Sequence, residues 1–277
     1  NVCTAPPPTS VMDSMASTRN LDSWLGYISE QHTEVIDMGL QRFNQVLDQL
    51  QPHKPAPTVI TVAGTNGKGT TCRMIEALLL QGGYRVGTTL SPHIWRFNER
   101  IRLHGHDAGD DEICAAFAAI DEARGDVALT YCEFRALAAL YCMAQAQVDV
   151  AILEIGLGGR LDAFNAIDPD IAVMTSIGLD HQAFLGDTRE AIGAEKAGIL
   201  RSGQHVVLGQ NMPASVLQRC EELSLKPKCW GTDFSSASDI DQGTWQLSRQ
   251  SHASLEVPLT AIAPHNIALA SEAVADM

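Results

Sequence analysis

The chain has 277 residues, 45% of them hydrophobic and 19% charged, and these proportions exclude a disordered, collagen-like or fibrous protein. Seven cysteines without a C-x-x-C spacing argue against a disulfide framework and a zinc ribbon, and a formal net charge of -14 argues against a nucleic-acid partner. Because no apolar run approaches the ~18 residues that span a bilayer, we expect a cytoplasmic protein that is not bound to a membrane.

The first part of the chain predicts a tail and two helices. Residues 1–20 are rich in proline, serine and threonine and carry no secretory signal, so we expect a disordered or weakly ordered tail. Over residues 21–50, apolar residues at mixed i+3 and i+4 spacings indicate two short helices with a break near 37–39. The prolines of QPHKPAP (51–57) end this segment, because consecutive prolines cannot continue a helix.

The rest of the chain alternates between apolar strands and helices. PTVITVA precedes a glycine-rich loop and a helix, and further predicted strands are YRVGTTL, VDVAILEIG, DIAVMTSIG and QHVVLGQ. Continuous apolar strands between helices indicate an α/β fold with a mostly parallel sheet covered by helices on both faces. TWQLSRQ and ASLEVPL predict a small peripheral β-hairpin, and PHNIALASEAVADM predicts a last helix.

The stretch TVAGTNGKGTT (61–71) has the composition of a phosphate-binding loop, but it departs from the G-x-x-x-x-G-K-[ST] pattern at Val62 and Gly69. Glycines let backbone N–H groups turn towards an anion, and the N-terminus of the following helix adds a positive partial charge. Lys68 adds a full charge, and Thr70 or Thr71 offers a hydroxyl for Mg²⁺. The alternative is an ordinary glycine turn, and the lysine and threonines favour the phosphate loop.

Three further polar residues are candidates for chemistry. Glu154 ends a strand at the same edge of the sheet, where an acid commonly holds Mg²⁺, although it is equally a solvated carboxylate. His181 follows the next strand and is a candidate metal ligand or general base, although a loop histidine is more often neither. Lys196 is by default a solvated helix lysine. Cys132 and Cys142 lie on an apolar helix, which predicts that both are core residues.

A run of basic residues has two interpretations. HIWRFNERIRLHG (93–105) contains Arg96, Arg100, Arg102 and His104. One interpretation is that these residues line a site for an anionic substrate. The other is that they form the solvated face of a strand, because polar and apolar residues alternate in this run.

Seven segments, in the same order, resemble one known family. AGTNGKGTT is similar to the phosphate loop of the Mur ligase superfamily in its folate branch, where a glycine stands between the lysine and the hydroxyl residue. The resemblance is to bacterial bifunctional dihydrofolate synthase/folylpolyglutamate synthases, and it runs from Leu21 to Met277. The matching segments are IDMGLQR (36–42), AGTNGKGTT (63–71), SPHIWRFNERIR (91–102), ARGDVALTY (123–131), LEIGLGGRLDAFN (153–165), TSIGLDH (175–181) and EKAGIL (195–200).

The resemblance implies that residues 21–277 form the central ATP-binding domain of such a ligase. It implies that Lys196 is carbamylated, which would make it an oxygen ligand for Mg²⁺, and that Asn266 lies near adenine. The implied ATP-binding residues are Gly64, Thr65, Asn66, Gly67, Lys68, Gly69, Thr70, Thr71 and Asn266. The implied metal ligands are Thr70, Ser91, Glu154 and His181, and the implied catalytic residues are Lys68, Glu154, His181 and Lys196.

The resemblance also implies a pterin pocket, lined by Ile36, Met38, Thr130, Cys132, Asp162 and Ala163. Three departures from the family pattern affect this pocket and leave the ATP site intact. Cys132 stands where an aromatic residue is usual, and Phe164 stands where threonine or valine is common. Arg135 and Ala136 stand where a small residue and a threonine are usual.

The implied activity is the ligation of L-glutamate to dihydropteroate and to reduced folates through an acyl phosphate, with ATP and Mg²⁺ as cofactors. We expect a monomer. The family's second, Rossmann-like domain would begin where this chain stops, so we expect the chain alone to be incomplete for catalysis. Two alternatives stay open, namely a cell-wall Mur ligase, against which IDMGLQR argues, and a nucleotide-binding module without turnover.

Overall fold

The computed structural model describes residues 19–31, 39–50, 54–239 and 241–277. Most of the predicted tail lies outside the described residues, as do the predicted pterin-site residues Ile36 and Met38. Arg19 and Asn20, which we assigned to the tail, belong to the fold. The Asn20 side chain caps the first helix by accepting from the Ser23 N–H at 2.9 Å.

Helices and strands alternate along most of the described chain, as the sequence predicts. The helices are α1 (Leu21–Glu30), α2 (Gln41–Leu50), α3 (Lys68–Gln81), α4 (Asp110–Arg124), α5 (Tyr131–Gln145), α6 (Gln182–Leu185), α7 (Arg189–Lys196), α8 (Ala214–Glu222) and α9 (Pro264–Ala273). The strands are β1 (Thr58–Ala63), β2 (Val86–Thr89), β3 (Ile101–Leu103), β4 (His106–Asp107), β5 (Val150–Glu154), β6 (Ile171–Met174), β7 (His205–Leu208), β8 (Lys228–Cys229), β9 (Phe234–Asp239), β10 (Thr244–Arg249) and β11 (Leu255–Pro258).

Eight strands form one sheet in the order β4-β3-β2-β5-β1-β6-β7-β8. Six neighbouring strands of this sheet are parallel, namely β2, β5, β1, β6, β7 and β8, whereas β3 and β4 form an antiparallel edge beside β2. The predicted mostly parallel α/β sheet is confirmed. The predicted hairpin of β10 and β11 is part of a larger unit, because β9 pairs with β10 to give a three-stranded antiparallel sheet.

Helices cover both faces of the large sheet. Successive side chains of the central strand β1 accordingly pack into two different hydrophobic cores, one on each face. Val59 of β1 is fully buried in the core that contains Phe134 of α5. Its neighbour Ile60 points to the other face and is buried with Ile75 of α3 and Leu269 of α9. The helices α3 and α5 therefore lie on opposite faces of the sheet.

The strand order fixes the position of the functional residues. The central strand β1 pairs in parallel with β5 on one side and with β6 on the other. The segments that follow these three strands therefore meet at one edge of the sheet, which is where open parallel sheets bind ligands. None of the described helices has the length and apolar character needed to cross a bilayer.

Candidate functional site

The glycine-rich loop after β1 turns tightly into α3, which begins at Lys68. Gly64 and Gly67 have φ angles of 148° and 86°, which residues with a Cβ rarely adopt. A Cβ on Gly64 would also collide with the Thr175 hydroxyl, and a Cβ on Gly67 would lie 2.6 Å from Asn266 Oδ1. Both glycines are therefore required by the close approach of neighbouring segments as well as by the backbone turn.

The segment after β6 holds this loop in place through a set of hydrogen bonds to Thr65 and Asn66. The N–H of Thr65 donates to the Ser176 carbonyl at 2.7 Å, and the N–H of Asn66 donates to the Ser176 hydroxyl at 3.1 Å. The Thr175 hydroxyl donates to the Asn66 carbonyl at 2.6 Å, and the Gly178 N–H donates to the Thr65 hydroxyl at 3.0 Å. The loop conformation is thus fixed by β1, α3 and the residues after β6 together.

Lys68 and Glu154 lie on either side of the start of α3. The Lys68 ammonium donates to the Gly64 carbonyl at 3.1 Å and to the Thr65 carbonyl at 3.3 Å. The carboxylate of Glu154 is 3.7 Å from where a Cβ on Gly69 would stand, and its Oε2 accepts from the Ser91 N–H at 2.7 Å. Burial raises the pKa of Glu154, while the Ser91 N–H and the charge of Lys68 lower it.

A cavity of about 420 Å³ opens beside this loop. It is lined by Lys68 and Ser91 on the loop side and by Arg100 and Arg135 among the remaining walls. Gly156 and His181 also line it, so that the segments after β1, β5 and β6 contribute to one concave surface with both signs of charge. Such a mixture of apolar walls and a few placed charges is typical of a small-molecule site.

Lys196 is buried at the end of α7, with 5% of its surface exposed, so its interpretation as a solvated helix lysine is wrong. Burial lowers the pKa of Lys196 to about 8, the charge of Lys68 lowers it further, and Asp180 and Asp162 raise it. The charges that act on Lys196 are therefore those around the cavity. The amine carries an appreciable neutral fraction near neutral pH, which an ordinary lysine does not.

The remaining candidates for ATP and metal binding have different surroundings. His181 is half exposed, lies in the left-handed region with a φ of 49° and begins the short helix α6. Thr70 is exposed in the first turn of α3, whereas the Thr71 hydroxyl is buried and has no hydrogen-bond partner in the described part of the chain. Asn266 Oδ1, beside Gly67, is likewise buried with no partner among these residues. Among the described residues, no three acidic, histidine or cysteine side chains converge as a metal cluster.

The predicted pterin residues that the structure describes all line the cavity. Thr130 caps α5, with its hydroxyl accepting from the Glu133 N–H at 3.2 Å. Asp162 is held by the N–H groups of Gly156 and Phe164, both at 3.0 Å. Ala163 begins a short 3₁₀ turn beside it.

The two cysteines of α5 differ, and one prediction about them is wrong. Cys142 is buried in the core, as predicted. Cys132, in the first turn of α5, is exposed and lines the cavity.

The basic run 93–105 contributes one residue to the cavity, Arg100, whose Nε donates to His93 Nδ1 at 2.7 Å. Arg102 is paired with Glu76 and Asp107 away from the cavity. Thr175 and Ser176, which fix the loop, were not among the predicted site residues. Their position directly after a strand at the binding edge is the signal that identifies them.

Comparison with known proteins agrees with this architecture. The model of the Mur ligase middle domain matches residues 62–270. Dihydrofolate synthase/folylpolyglutamate synthase of Escherichia coli K12 is 46% identical over 257 residues, which are 92% of this chain and 60% of that protein. The Haemophilus influenzae protein of the same name is 47% identical over 233 residues, 84% of this chain and 53% of that protein.

Solved structures show the same similarity. E. coli FolC in complex with DHPP and ADP has a TM-score of 0.89 and 44% identity, over 94% of this chain and 62% of that chain. A bifunctional folylpolyglutamate synthase/dihydrofolate synthase with Mn, AMPPNP and L-glutamate bound has a TM-score of 0.85 and 42% identity, over the same shares. The chain thus spans about 60% of the length of the E. coli relative. It belongs to the Mur ligase family, contains the middle domain of that family, and is homologous to the bacterial dihydrofolate synthase/folylpolyglutamate synthases.

Proposed function

We propose that the protein is an ATP-dependent ligase that joins L-glutamate to dihydropteroate and to reduced folates. The observation that carries this proposal is the grouping of three features at one edge of the sheet. They are a phosphate-type loop whose Lys68 lines the cavity, the buried Glu154 beside that loop, and the buried Lys196, whose lowered pKa responds to the charges of Lys68 and Asp162. The relatives support the substrate class, because they are named for these activities and have been crystallised with DHPP, ADP, AMPPNP and L-glutamate.

The phosphate loop supplies the ATP site of this proposal. Loop N–H groups, the N-terminus of α3 and Lys68 together form a positive concavity for phosphates. Lys68 donates here to two loop carbonyls, and the same ammonium can turn to phosphate oxygens without leaving the loop. The side-chain carbonyl oxygen of Asn266 is buried next to Gly67 and has no hydrogen-bond partner among the described residues, and we propose that Asn266 lies near adenine.

The donor set at the loop fits Mg²⁺, which prefers oxygen ligands and usually retains waters and phosphate oxygens in its shell. Glu154 commits only Oε2 to a hydrogen bond within the described part of the chain, so Oε1 is free to bind a cation. Thr70, Ser91 and His181 are the other ligands that we propose. When bound, Mg²⁺ neutralises charge on the phosphate oxygens during transfer.

Lys196 has the properties that a carbamate requires. Only a neutral amine reacts with CO₂, and the burial that lowers the pKa of Lys196 to about 8 provides that form near neutral pH. The carbamate would convert a buried cation into an anionic oxygen ligand beside Lys68. We therefore propose that Lys196 acts on the metal ions through its carbamate.

The chemistry follows from the need to activate a carboxylate, whose oxygen is a poor leaving group. Phosphoryl transfer from ATP converts the acid to an acyl phosphate, and the amine of glutamate then displaces phosphate. Lys68 and Glu154 hold the phosphates and their counter-ion, and the cavity walls position the acid.

For the setting of the enzyme, we propose a cytoplasmic monomer that binds neither nucleic acid nor membrane. The net charge of -14 supports the absence of a nucleic-acid partner. Residues 21–277 are proposed to be the central ATP-binding domain.

The test is ADP release that depends on both dihydropteroate and glutamate, measured on this chain and on a longer one that spans the full length of the relatives. We expect turnover by the longer chain and strongly reduced turnover by the 277-residue chain. Mg-ATP binding without turnover by either chain would favour a nucleotide-binding module. Turnover with a cell-wall peptide precursor instead of a pterin acid would favour a cell-wall ligase.

A further inference from the structure

Arg135 lies in the wall of the cavity, where its charge has no ion-pair partner within residues 19–31, 39–50, 54–239 and 241–277. It projects from the first turns of α5, and its guanidinium lies over the ring of Phe164, with Cζ 5.8 Å from the ring centroid. One terminal nitrogen is 3.6 Å from the position of a Cβ on Gly156. Nε is buried without a hydrogen-bond partner, and no carboxylate of the described chain forms an ion pair with this side chain.

The two acids that line the cavity, Glu133 and Asp162, are already engaged by other groups. Glu133 pairs with Arg42 at 3.2 Å and also accepts from the Thr130 N–H at 2.7 Å. Asp162 accepts from backbone N–H groups at both of its oxygens. The protein therefore brings a guanidinium into an enclosed site and leaves its donors without an acceptor, which costs free energy unless a ligand supplies one.

The positions of Arg135 and Lys68 separate two positive groups across the site. Lys68 begins α3, which packs on one face of the sheet, and Arg135 belongs to α5, which packs on the other face. Both side chains nevertheless line the same cavity. A ligand that enters this cavity therefore meets Lys68 at the phosphate loop and the guanidinium groups of Arg135 and Arg100, of which Arg100 already donates to His93.

We propose that Arg135 binds the second carboxylate of a dicarboxylic acid substrate, and that this contact makes the protein select glutamylated pterin acids over dihydropteroate. The inference rests on the proposed ligase function and concerns the acid that is activated. Dihydropteroate has one carboxylate, which activation consumes. A folate that accepts glutamate at its side-chain carboxylate keeps a second carboxylate, and a guanidinium fork matches that group in a bidentate pair.

The test compares the binding of dihydropteroate and dihydrofolate, which differ by one glutamyl group. Calorimetric titrations are run in the presence of Mg-AMPPNP, on the unsubstituted chain, Arg135→Gln and Arg135→Lys. We expect the unsubstituted chain to bind dihydrofolate more tightly, and Arg135→Gln to weaken dihydrofolate roughly tenfold or more while changing dihydropteroate little. Arg135→Lys keeps the charge without the fork and should retain part of the preference.

Arg219→Gln is the matched control, because Arg219 is an arginine of α8 paired with Glu222 at 3.1 Å outside the cavity. It should leave both affinities unchanged. Arg135→Gln could instead weaken the binding of both acids equally, or of neither, while Mg-AMPPNP binding stays intact. Either result would overturn the assignment of Arg135 and leave the ligase proposal standing. Failure of the unsubstituted chain to bind either acid while it binds Mg-AMPPNP would overturn the proposed function and this inference with it.

Discussion

Two of the buried carboxylates, Glu76 and Glu154, have surroundings that differ in kind. Glu76 of α3 is 1% exposed, and Glu154 at the end of β5 is 3% exposed. Glu76 pairs with Arg73 and with Arg102, whose Nε lies 3.2 Å from its Oε1. Glu154 receives one hydrogen bond, from the Ser91 N–H, and no cation of the described chain pairs with it directly.

This difference separates a structural charge from a functional one. In a buried cluster of opposite charges, the mutual attraction offsets the free energy lost when each charge leaves water. Removal of one partner therefore leaves the others buried without that compensation. Glu154, Lys196 and Arg135 are instead buried or enclosed without that compensation, which lowers stability and leaves binding capacity for a ligand. Uncompensated charge at one edge of the sheet is therefore the structural signature of the site.

The comparison predicts opposite effects of the same substitution at the two carboxylates. Glu76→Gln should lower the free energy of unfolding by roughly 4 kcal/mol, because Arg73 and Arg102 lose their shared acceptor. Glu154→Gln should leave stability unchanged or raise it at neutral pH, since burial raises the pKa of Glu154 and so disfavours its charged form. Urea denaturation measures both. A loss at Glu154→Gln as large as at Glu76→Gln would contradict the distinction.

Lys196 gives the second prediction, with a defined dependence on pH. Its pKa is about 8 in the fold and near 10.5 in the unfolded chain. Below pH 8 the lysine is charged in both states, so the full free-energy cost of burying the charge lowers the stability of the fold. As the pH rises from 8 to 10.5, the folded state loses its proton first, and stability rises relative to a variant without the amine. Lys196→Met should therefore raise the free energy of unfolding at pH 7 by about 3 kcal/mol, and this gain should vanish above pH 10.5.

The measurement uses CO₂-free buffer, so that no carbamate forms. Lys226→Met removes an exposed lysine and is the control, with no change expected at either pH. A gain for Lys196→Met that persists undiminished at pH 10.5 would show that packing rather than charge is responsible.

The sequence predicts the elements around the phosphate loop well, because their signals are local. The strand β1 is a β-branched run, and the loop glycines and Lys68 follow it directly. The strand β9, with the sequence FSSASD, has no apolar alternation and forms because β10 pairs with it. Its existence depends on a tertiary partner, which propensity does not show.

The candidate site is less predictable, because burial depends on packing. Lys196 follows the buried Ile192 at an i+4 spacing, so the period of α7 places it on the inward face. That signal was present but was outweighed by the rarity of buried lysines. Cys132 was assigned to the core from the apolar helix around it, whereas its place in the first turn of α5 exposes it to the cavity.

Lys68 gives the third prediction, because we expect its charge to bind the phosphates of ATP instead of a carboxylate of the fold. Lys68→Ala should weaken Mg-ATP binding by ~2 kcal/mol, because a charge-assisted contact to phosphate is lost. Stability should change little, since the ammonium bonds only to two carbonyls of its own loop. Isothermal calorimetry on the chain, with Lys226→Ala as the control, measures this effect. Unchanged affinity would remove the phosphate-loop interpretation.

Ser176 gives the smallest effect and tests whether the segment after β6 contributes to the site through the loop conformation alone. Its hydroxyl accepts from the Asn66 N–H at 3.1 Å and donates to the Asn66 carbonyl at 3.2 Å. Ser176→Ala leaves the N–H to water, whereas the carbonyl still accepts from the Thr175 hydroxyl at 2.6 Å. We expect Mg-ATP to bind about 1 kcal/mol more weakly, because one net hydrogen bond that orders the loop is lost. Ser238→Ala, at an exposed position of β9, is the control. If Ser176→Ala instead weakened binding as much as Lys68→Ala, Ser176 would have to contact the nucleotide itself, and the division between residues that bind and residues that hold the loop would be wrong.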